Sequence, residues 1–234
     1  FPSAAMLNIL YSTKKFGKIF KNSIQIKRII HNPIELRQIG EASFKNQKVI
    51  FSAGTVCKEK GFIELIEAVR MLNEDGLDIT LIIAGKLGRV GVHYKNLMLN
   101  NDKYASWLRL LGPIARERLF DYYLNSHLNC FPSWWDNMPL TCLEAMSVGG
   151  LVLGSNAGGM SEIIEDGSDG FLIAPRDVTI LKESIFKILK MDENKIMKIR
   201  KCAKEKIKDK FSIDGILEDN IAFYKDVISG FNRQ

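Results

Sequence analysis

Short apolar runs alternate with amphipathic segments along most of the sequence. Six apolar runs are predicted to be β-strands, at 48–53, 79–84, 107–111, 127–131, 150–154 and 170–173. Helices are predicted at 61–74, 115–125, 140–148, 178–190, 194–209 and 214–229. Short apolar strands separated by helices indicate a parallel sheet with helices on both faces. We therefore expect an α/β chain built on a Rossmann-like parallel sheet, followed by a helical C-terminal extension.

The first 34 residues follow a different pattern. They predict a helix over 4–16, a strand from the alternation at 24–30, and a turn at His31 to Pro33, because Pro33 disfavours a helical residue before it. This stretch contains six basic residues and no acidic one, so the net charge of +6 arises here. A basic, acid-free segment suits an anionic membrane face or an anionic acceptor, and equally a solvated linker.

The composition excludes several classes of protein. With 46% hydrophobic and 26% charged residues, the chain is an ordinary globular one, not a disordered or collagen-like one. No apolar run approaches the roughly 20 residues that cross a bilayer. The four cysteines form no C-x-x-C pair, so we expect free thiols in a reducing cytoplasm. The start lacks a signal-peptide pattern and an initiating Met, so we expect part of a longer protein.

The first candidate binding segment is the loop from Gly54 to Gly61, which follows the first predicted strand of the sheet. Gly61 opens a helix, and the loop carries Lys58 and Lys60. Exposed amides at a helix start, together with lysine ammonium groups, form an anion site suited to phosphate. Solvated loop lysines explain the same residues, so this segment does not by itself identify a ligand.

The second candidate segment runs from Phe131 to Glu144. Its helix is predicted to begin near Pro139 or Leu140, so that the amides of Leu140 and Thr141 point over the edge of the sheet. Glu144 then lies one turn into the helix and faces the same cleft, where a carboxylate suits paired hydroxyls such as a ribose diol. A stabilising interaction with the helix dipole is the alternative explanation for this acid.

The third candidate segment runs from Ser155 to Glu162 and again follows a predicted strand. The adjacent Gly158 and Gly159 precede a helix, and two glycines there allow the backbone to approach a ligand closely. A plain turn is the alternative explanation.

Taken in order, these segments resemble the family-4 retaining glycosyltransferases of the GT-B fold. The family signature is an acid, seven residues, Glu-Ala-Met, a Gly, a short strand and Gly-Gly-x-x-Glu, and it matches from Asp136 to Glu162. The G-x-x-x-x-x-K-G run at 54–61, Leu-Gly at 111–112 and Ile-His-Asn-Pro-Ile-Glu at 30–35 match the same layout. A dinucleotide-binding Rossmann domain is disfavoured, because no G-x-G-x-x-G follows the first strand.

The resemblance implies a role for each matching residue. Lys60 would bind the donor pyrophosphate, Glu144 the nucleotide ribose and Asp136 the transferred sugar, and Asp136 and Lys60 are the predicted catalytic residues. The other predicted donor contacts are Gly54, Thr55, Ile114, Asn137, Met138, Pro139, Leu140, Thr141, Gly158, Gly159 and Glu162, with the backbone of Ile114 reading the base. The donor would be a UDP- or GDP-linked sugar, with no cofactor and no metal ion. The lack of an Asp-x-Asp motif agrees with that implication.

The resemblance also implies a reaction and partners. The protein would transfer a sugar to an acceptor hydroxyl with retention, in bacterial surface polysaccharide or glycolipid synthesis, in the cytoplasm or on the inner membrane face. The glycan or lipid-linked acceptor would bind a missing N-terminal domain, and no nucleic acid is implied. The chain would divide into a remnant of that domain with its linker at 1–40, a Rossmann-like donor-binding domain at 41–211, and a helix at 212–234 that returns toward the missing domain.

One residue departs from the family pattern. The family places an Arg, a second cation for the leaving phosphate, where this sequence has Thr55. Lys58 and Arg116 are the candidate substitutes. The alternative function is therefore a donor-binding module without catalytic activity, either truncated or degenerate.

Overall fold

A computed structural model of the chain describes residues 1–13, 28–37, 40, 48–100 and 102–231. Its centre is a six-stranded parallel sheet, which confirms the predicted fold class and all six predicted strands. The strands are β1 Lys48–Ala53, β2 Ile79–Ala84, β3 Leu108–Gly112, β4 Leu128–Phe131, β5 Val152–Ser155 and β6 Phe171–Ile173.

The strands lie in the order β3-β2-β1-β4-β5-β6. The strand order reverses between β1 and β4, which pair in parallel from Ile50 opposite Leu128. In sheets of this kind, ligands bind outside the carboxyl ends of the strands at the point of reversal. The loops after β1 and β4 therefore flank the expected binding crevice.

The helices of the described residues occur close to the predicted positions, with three additions. They are α1 Ala4–Ser12, α2 Phe62–Glu74, α3 Arg89–Asn100, α4 Asp102–Trp107, α5 Arg116–Asn125, α6 Leu140–Ser147, α7 Met160–Ile163, α8 Val178–Leu189, α9 Glu193–Lys210 and α10 Ile213–Phe231. The prediction missed α3 and α4 and did not bound α7. In α3, the core-facing residues Val90, Tyr94, Leu97 and Met98 are at helical spacing, but they stand among polar residues and a glycine.

The predicted strand at 24–30 is not a strand in its described part. Residues 24–27 lie outside the described residues, and residues 28–30 belong to no strand or helix. The amide of Ile30 instead donates to the carbonyl of Phe1 at 2.9 Å. The segment after it is tied to the end of α9, because the amide of Ile34 donates to the carbonyl of Phe211 at 2.8 Å. For the helix predicted over 4–16, residues 14–16 lie outside the described residues.

The core consists of two apolar layers, one on each face of the sheet. Neighbouring residues of a strand point to opposite faces, so Ile50 packs with α2 and α8 while Phe51 packs with α5 and α6. The same alternation places Leu81 and Ile83 of β2 in the first layer and Ala84 in the second. Helices thus cover both faces, as predicted. Among the described residues, no helix has the length and apolar character needed to cross a membrane.

Candidate functional site

The loops that follow β1 and β4 pack in close contact at the point where the strand order reverses. The loop after β1 ends in a 3-10 turn, Lys58–Lys60, and in Gly61, whose φ is +71°. A Cβ atom at residue 61 would lie 2.0 Å from the carbonyl oxygen of Pro132, in the loop after β4. Only glycine permits both this left-handed conformation and this approach. A backbone bond from the amide of Trp134 to the carbonyl of Glu59, 2.8 Å long, holds the two loops together.

Lys60 and Asp136, the two predicted catalytic residues, meet across these loops. The Lys60 Nζ atom lies 2.5 Å from Asp136 Oδ2. The Lys60 side chain is 39% exposed and that of Asp136 19% exposed, so solvent reaches the pair. The pair places a cation and a carboxylate side by side at the crevice.

The start of α6 borders the same crevice. Pro139 is the N-cap residue and its side chain makes no capping bond, while Leu140 begins the helix as predicted. Thr141 in the first turn lines one cavity together with Gly54 and Lys60. Thr141 and Lys60 therefore border a common space, where the start of α6 and the Lys60 ammonium group, which also pairs with Asp136, present positive charge.

Glu144 lies one turn into α6, as predicted, and is largely buried. Its Oε1 atom lies 3.1 Å from Arg116 of α5, and its Oε2 atom lies 3.5 Å from the hydroxyl of Tyr123. Burial, followed by the nearby Glu144 charge, raises the pKa of Tyr123 well above its usual value, so this hydroxyl stays protonated. From the sequence, Arg116 was a candidate phosphate ligand in place of the missing family arginine. The structure makes it the counterion of Glu144.

Gly158 and Gly159 approach protein backbone closely. A Cβ at Gly158 would lie 1.9 Å from the Asp136 carbonyl oxygen, and one at Gly159 would lie 1.9 Å from that of Asn137. The amide of Gly159 also donates to the Asp136 carbonyl at 2.8 Å. The two glycines thus support the loop that carries Asp136, and a direct contact with a ligand stays a prediction.

Two further predicted donor ligands, Asn137 and Glu162, contact the N-terminal segment of the chain. The Ser3 hydroxyl donates to Asn137 Oδ1 at 2.7 Å, and Glu162 accepts bonds from the amides of Ala4 and Ala5 at 2.9 and 3.0 Å. The local sequence around Glu162 carried no signal for this contact, because its partners lie more than 150 positions away.

The remaining predicted ligands differ in how far they are exposed to solvent. Thr55 and Leu140 are exposed, Ile114 is partly buried against the core, and Met138 and Pro139 are buried. Met138 and Pro139 therefore present little surface to a ligand.

Trp134 lies in a cluster whose members Glu64 and Arg176 the sequence did not indicate. Trp134 itself could flank a sugar or pack in the core, and the structure leaves it partly exposed, with its indole Nε1 donating to Glu64 Oε1 at 2.8 Å. The Lys58 ammonium lies 5.0 Å and the Arg176 guanidinium 4.3 Å from the ring centroid, distances of cation–π contacts. Arg176 has a φ of +67°, which is uncommon for a residue other than glycine. Among the described residues, no group of three or more His, Cys, Asp or Glu side chains could hold a metal ion.

The fold of this chain is similar to that of solved glycosyltransferases. It matches sucrose-phosphate synthase from Thermosynechococcus elongatus with a TM-score of 0.77 at 19% identity, covering 91% of this chain and 56% of that one. It matches Anabaena HepE, solved in complex with UDP, with a TM-score of 0.66 at 21% identity, covering 77% of this chain and 48% of that one. At these identities the likeness concerns the fold alone, that of a GT-B glycosyltransferase half.

Curated proteins show similarity in sequence as well. The capsular polysaccharide biosynthesis glycosyltransferase CapM of Staphylococcus aureus is 22% identical over 206 residues, which are 87% of this chain and 52% of CapM. The O-antigen chain mannosyltransferase B of Escherichia coli is 28% identical over 174 residues, which are 74% of this chain and 44% of that protein. The chain therefore spans about half the length of these two relatives. The sequence model described as glycosyl transferases group 1 matches residues 33–206, and the chain belongs to that family.

Proposed function

We propose that this chain binds a nucleotide-diphosphate sugar, and that the protein containing it transfers the sugar to an acceptor hydroxyl with retention of configuration. The observation that carries the proposal is the placement of Lys60 and the first turn of α6 around one cavity, with Asp136 bonded to Lys60. A lysine and helix amides bind a diphosphate, and the adjacent carboxylate suits sugar hydroxyls.

Each part of the donor then has a partner. The diphosphate lies between Lys60 and the amides of Leu140 and Thr141, and the ribose diol bonds to Glu144. Arg116, 3.1 Å from Glu144 Oε1, keeps that carboxylate oriented. Oε2, which also lies 3.5 Å from the Tyr123 hydroxyl, has a second lone pair to accept a bond from a ribose hydroxyl. Donors of the UDP or GDP type fit this arrangement. HepE, a structural neighbour, has been solved with UDP and with UDP-glucose.

The chemical step depends on stabilising a leaving group. As the bond from the anomeric carbon to the diphosphate breaks, its electron pair stays on the diphosphate and an oxocarbenium-like sugar develops. The acceptor oxygen bonds to the anomeric carbon on the face that the diphosphate leaves, and its proton passes to the departing phosphate oxygen. In this proposal, Lys60 and the α6 amides stabilise the new negative charge without a metal ion. Asp136, which bonds to Lys60, contacts the hydroxyls of the transferred sugar. Preorganised charge of this kind supplies a few kcal/mol of transition-state stabilisation.

A donor-binding module without catalysis is the second candidate, and the residue at position 55 favours it. Thr55 is exposed and carries no charge. Of the two substitute cations, Lys58 lies over the Trp134 ring and Arg116 pairs with Glu144. A single lysine at the diphosphate would support donor binding while stabilising the charge of the leaving group too weakly for transfer.

The proposal for the whole protein extends to its acceptor and its setting. The domain division into 1–40, 41–211 and 212–234 stays a prediction. Supporting it, α10 exposes an apolar row, Ile213, Leu217, Ile221, Tyr224 and Ile228, which suits packing against a further part of the protein. The basic N-terminal segment supports contact with an anionic membrane and a cytoplasmic location. Relatives such as CapM support a glycan or lipid-linked acceptor and a role in bacterial surface polysaccharide synthesis.

The decisive experiment is calorimetric titration of the chain with UDP, GDP and NAD, followed by assays of the full-length protein with a panel of UDP- and GDP-sugars. We expect binding of UDP or GDP and transfer by the full-length protein. Binding of NAD without either nucleoside diphosphate would refute the donor site. Donor binding without turnover across the panel would favour the silent module.

A further inference from the structure

Glu162 faces a helix start contributed by a distant part of the chain. Its two carboxylate oxygens accept bonds from the amides of Ala4 and Ala5, at 2.9 and 3.0 Å, and His31 Nε2 lies 3.4 Å away. Ala4 and Ala5 form the first turn of α1, where unpaired amides attract an acid. The Glu162 side chain is only 21% exposed, so it docks α1 in a shielded position.

Ser3 connects this docked helix to the loop of the proposed donor site. The residue is fully buried, and its hydroxyl oxygen accepts a bond from the Met6 amide at 3.1 Å, which caps α1. The same hydroxyl donates to Asn137 Oδ1 at 2.7 Å. Because one hydroxyl makes both bonds, the position of α1 and the position of the Asn137 side chain depend on each other.

The other side of the same loop is supported by α7. Gly159, the residue before α7, donates its amide to the Asp136 carbonyl at 2.8 Å. A Cβ atom at Gly159 would also approach Ser3 Cβ to 3.3 Å, so α1, α7 and the loop pack without spare room. A shift of α1 is therefore transmitted to the residues that the proposed function assigns to the donor.

We propose that Glu162 is a positioning residue, which docks α1 so that Ser3 holds the Asp136–Asn137 loop. Through the Asp136–Lys60 bond and the start of α6, this loop keeps the groups that bind a nucleoside diphosphate in place. This inference rests on the proposed function, because it needs the donor to bind at that loop. Two sites coupled through a shared element influence each other equally. Binding of the nucleotide therefore tightens the docking of α1, and loss of the docking weakens the nucleotide.

The test measures both directions of this coupling in the 234-residue chain. Amide hydrogen exchange of Ala4 and Ala5 is followed by NMR with and without saturating UDP or GDP, and affinities are measured by calorimetry. We expect the nucleotide to slow exchange of these two amides at least about threefold. Glu162→Ala should abolish that slowing and weaken the nucleotide about three- to tenfold, which corresponds to roughly 0.7–1.4 kcal/mol.

Two further variants separate coupling from general loss of structure. Ser3→Ala keeps the Glu162 bonds, so Ala4 and Ala5 should stay protected while the response to nucleotide disappears. Glu162→Gln keeps one acceptor oxygen and should restore part of the affinity. Glu165→Ala, which removes an exposed carboxylate three residues later, is the control and should behave as the wild type.

Nucleotide binding that leaves the exchange of Ala4 and Ala5 unchanged in the wild type overturns this inference alone. So does a Glu162→Ala chain that releases α1 yet binds the nucleotide as tightly as the wild type. A wild-type chain that binds neither UDP nor GDP refutes the proposed function, and this inference with it.

Discussion

Replacing Glu144 by Ala tests the proposed ribose contact, and the structure separates its effect on binding from its effect on stability. Hydrogen bonds to a charged group contribute about 1.5–3 kcal/mol each. Losing one such bond to the ribose diol weakens UDP or GDP binding by at least about tenfold, since tenfold corresponds to about 1.4 kcal/mol.

The same substitution should leave the chain folded. Arg116, the partner of Glu144 at 3.1 Å, has a 47% exposed side chain and regains water when the carboxylate is removed. Exposed ion pairs contribute about 1 kcal/mol or less, and the half-exposed guanidinium keeps the Arg116–Glu144 pair near that range. The Tyr123 hydroxyl is buried and loses an acceptor 3.5 Å away, and an unsatisfied buried donor costs about 1–3 kcal/mol. We therefore expect a fall in the free energy of unfolding of about 1–4 kcal/mol, less than the roughly 5–15 kcal/mol by which domains are stable.

Calorimetric titration with UDP and GDP, together with urea unfolding, measures both effects. Glu117→Ala is the matched control, because Glu117 is an exposed acid next to Arg116 and its partner Arg37 lies 3.4 Å away. Its affinity for the nucleotide should equal that of the wild type. If Glu144→Ala binds the nucleotide within about threefold of the wild type, the carboxylate serves α6 and Arg116 rather than a ribose, and the reasoning is refuted.

Three other substitutions test the diphosphate contact, the packing of the loops and the titration of the half-buried His127. Lys60→Ala should weaken nucleotide binding and lower its dependence on salt concentration, because a cation–phosphate contact is screened by ions; an unchanged salt slope in calorimetry would contradict the phosphate contact. Gly61→Ala should lower the free energy of unfolding by more than about 2 kcal/mol, because the added Cβ meets both a positive φ and the Pro132 carbonyl oxygen at 2.0 Å. The control Gly76→Ala, with a φ of +91° but open space around it, should lower that free energy by only about 1 kcal/mol. Equal losses for the two variants in urea unfolding would show that the loops move apart to relieve the contact with Pro132. Burial lowers the pKa of His127 from 6.5 to about 4, so between these two pH values the unfolded chain binds more protons than the folded chain. The free energy of unfolding therefore falls as the pH drops through this interval. The loss is at most about 3 kcal/mol, and it is smaller because the ring is partly exposed. His127→Asn keeps an acceptor for the Val49 amide, which bonds to His127 Nδ1 at 3.1 Å, and should lose less stability than the wild type between about pH 7 and 4. The control His93→Asn, at an exposed position, should behave as the wild type. Equal pH profiles for the wild type and both variants would exclude His127 as the source of the pH dependence.

Much of the fold can be predicted from the sequence because its strands and helices depend on local patterns. Short apolar runs, period-2 alternation and helical spacing are properties of a few adjacent residues, so all six strands were predicted close to their observed bounds. The predicted strand at 24–30 is the exception. Its alternating pattern predicts a strand, but the Ile30 amide bonds to the Phe1 carbonyl, because alternation alone does not supply the neighbouring strand that a sheet requires.

Part of the candidate site could be predicted for the same reason. Parallel strands end at one edge of a sheet, so residues that follow β1 and β4 must lie near each other, and Lys60 and Asp136 do meet there. Which side chains pair beyond that edge could not be predicted. Arg116 pairs with Glu144 across 28 positions, and the amide of Ala4 bonds to Glu162 across 158.

The sequence by itself determined the class of fold, the strand ends that flank the crevice and the charge types available there, because each of these follows from local pattern and from the geometry common to parallel sheets. The tertiary structure alone decided which of many similar residues have buried partners. Arg200 is one of several basic residues in α9, yet it alone of them is buried, donating to the carbonyls of Leu124 and Ser126. Glu162 docks a helix, although its sequence context is that of a ligand-binding loop. Such choices depend on segments far apart in the chain, which come into contact only when the whole core packs.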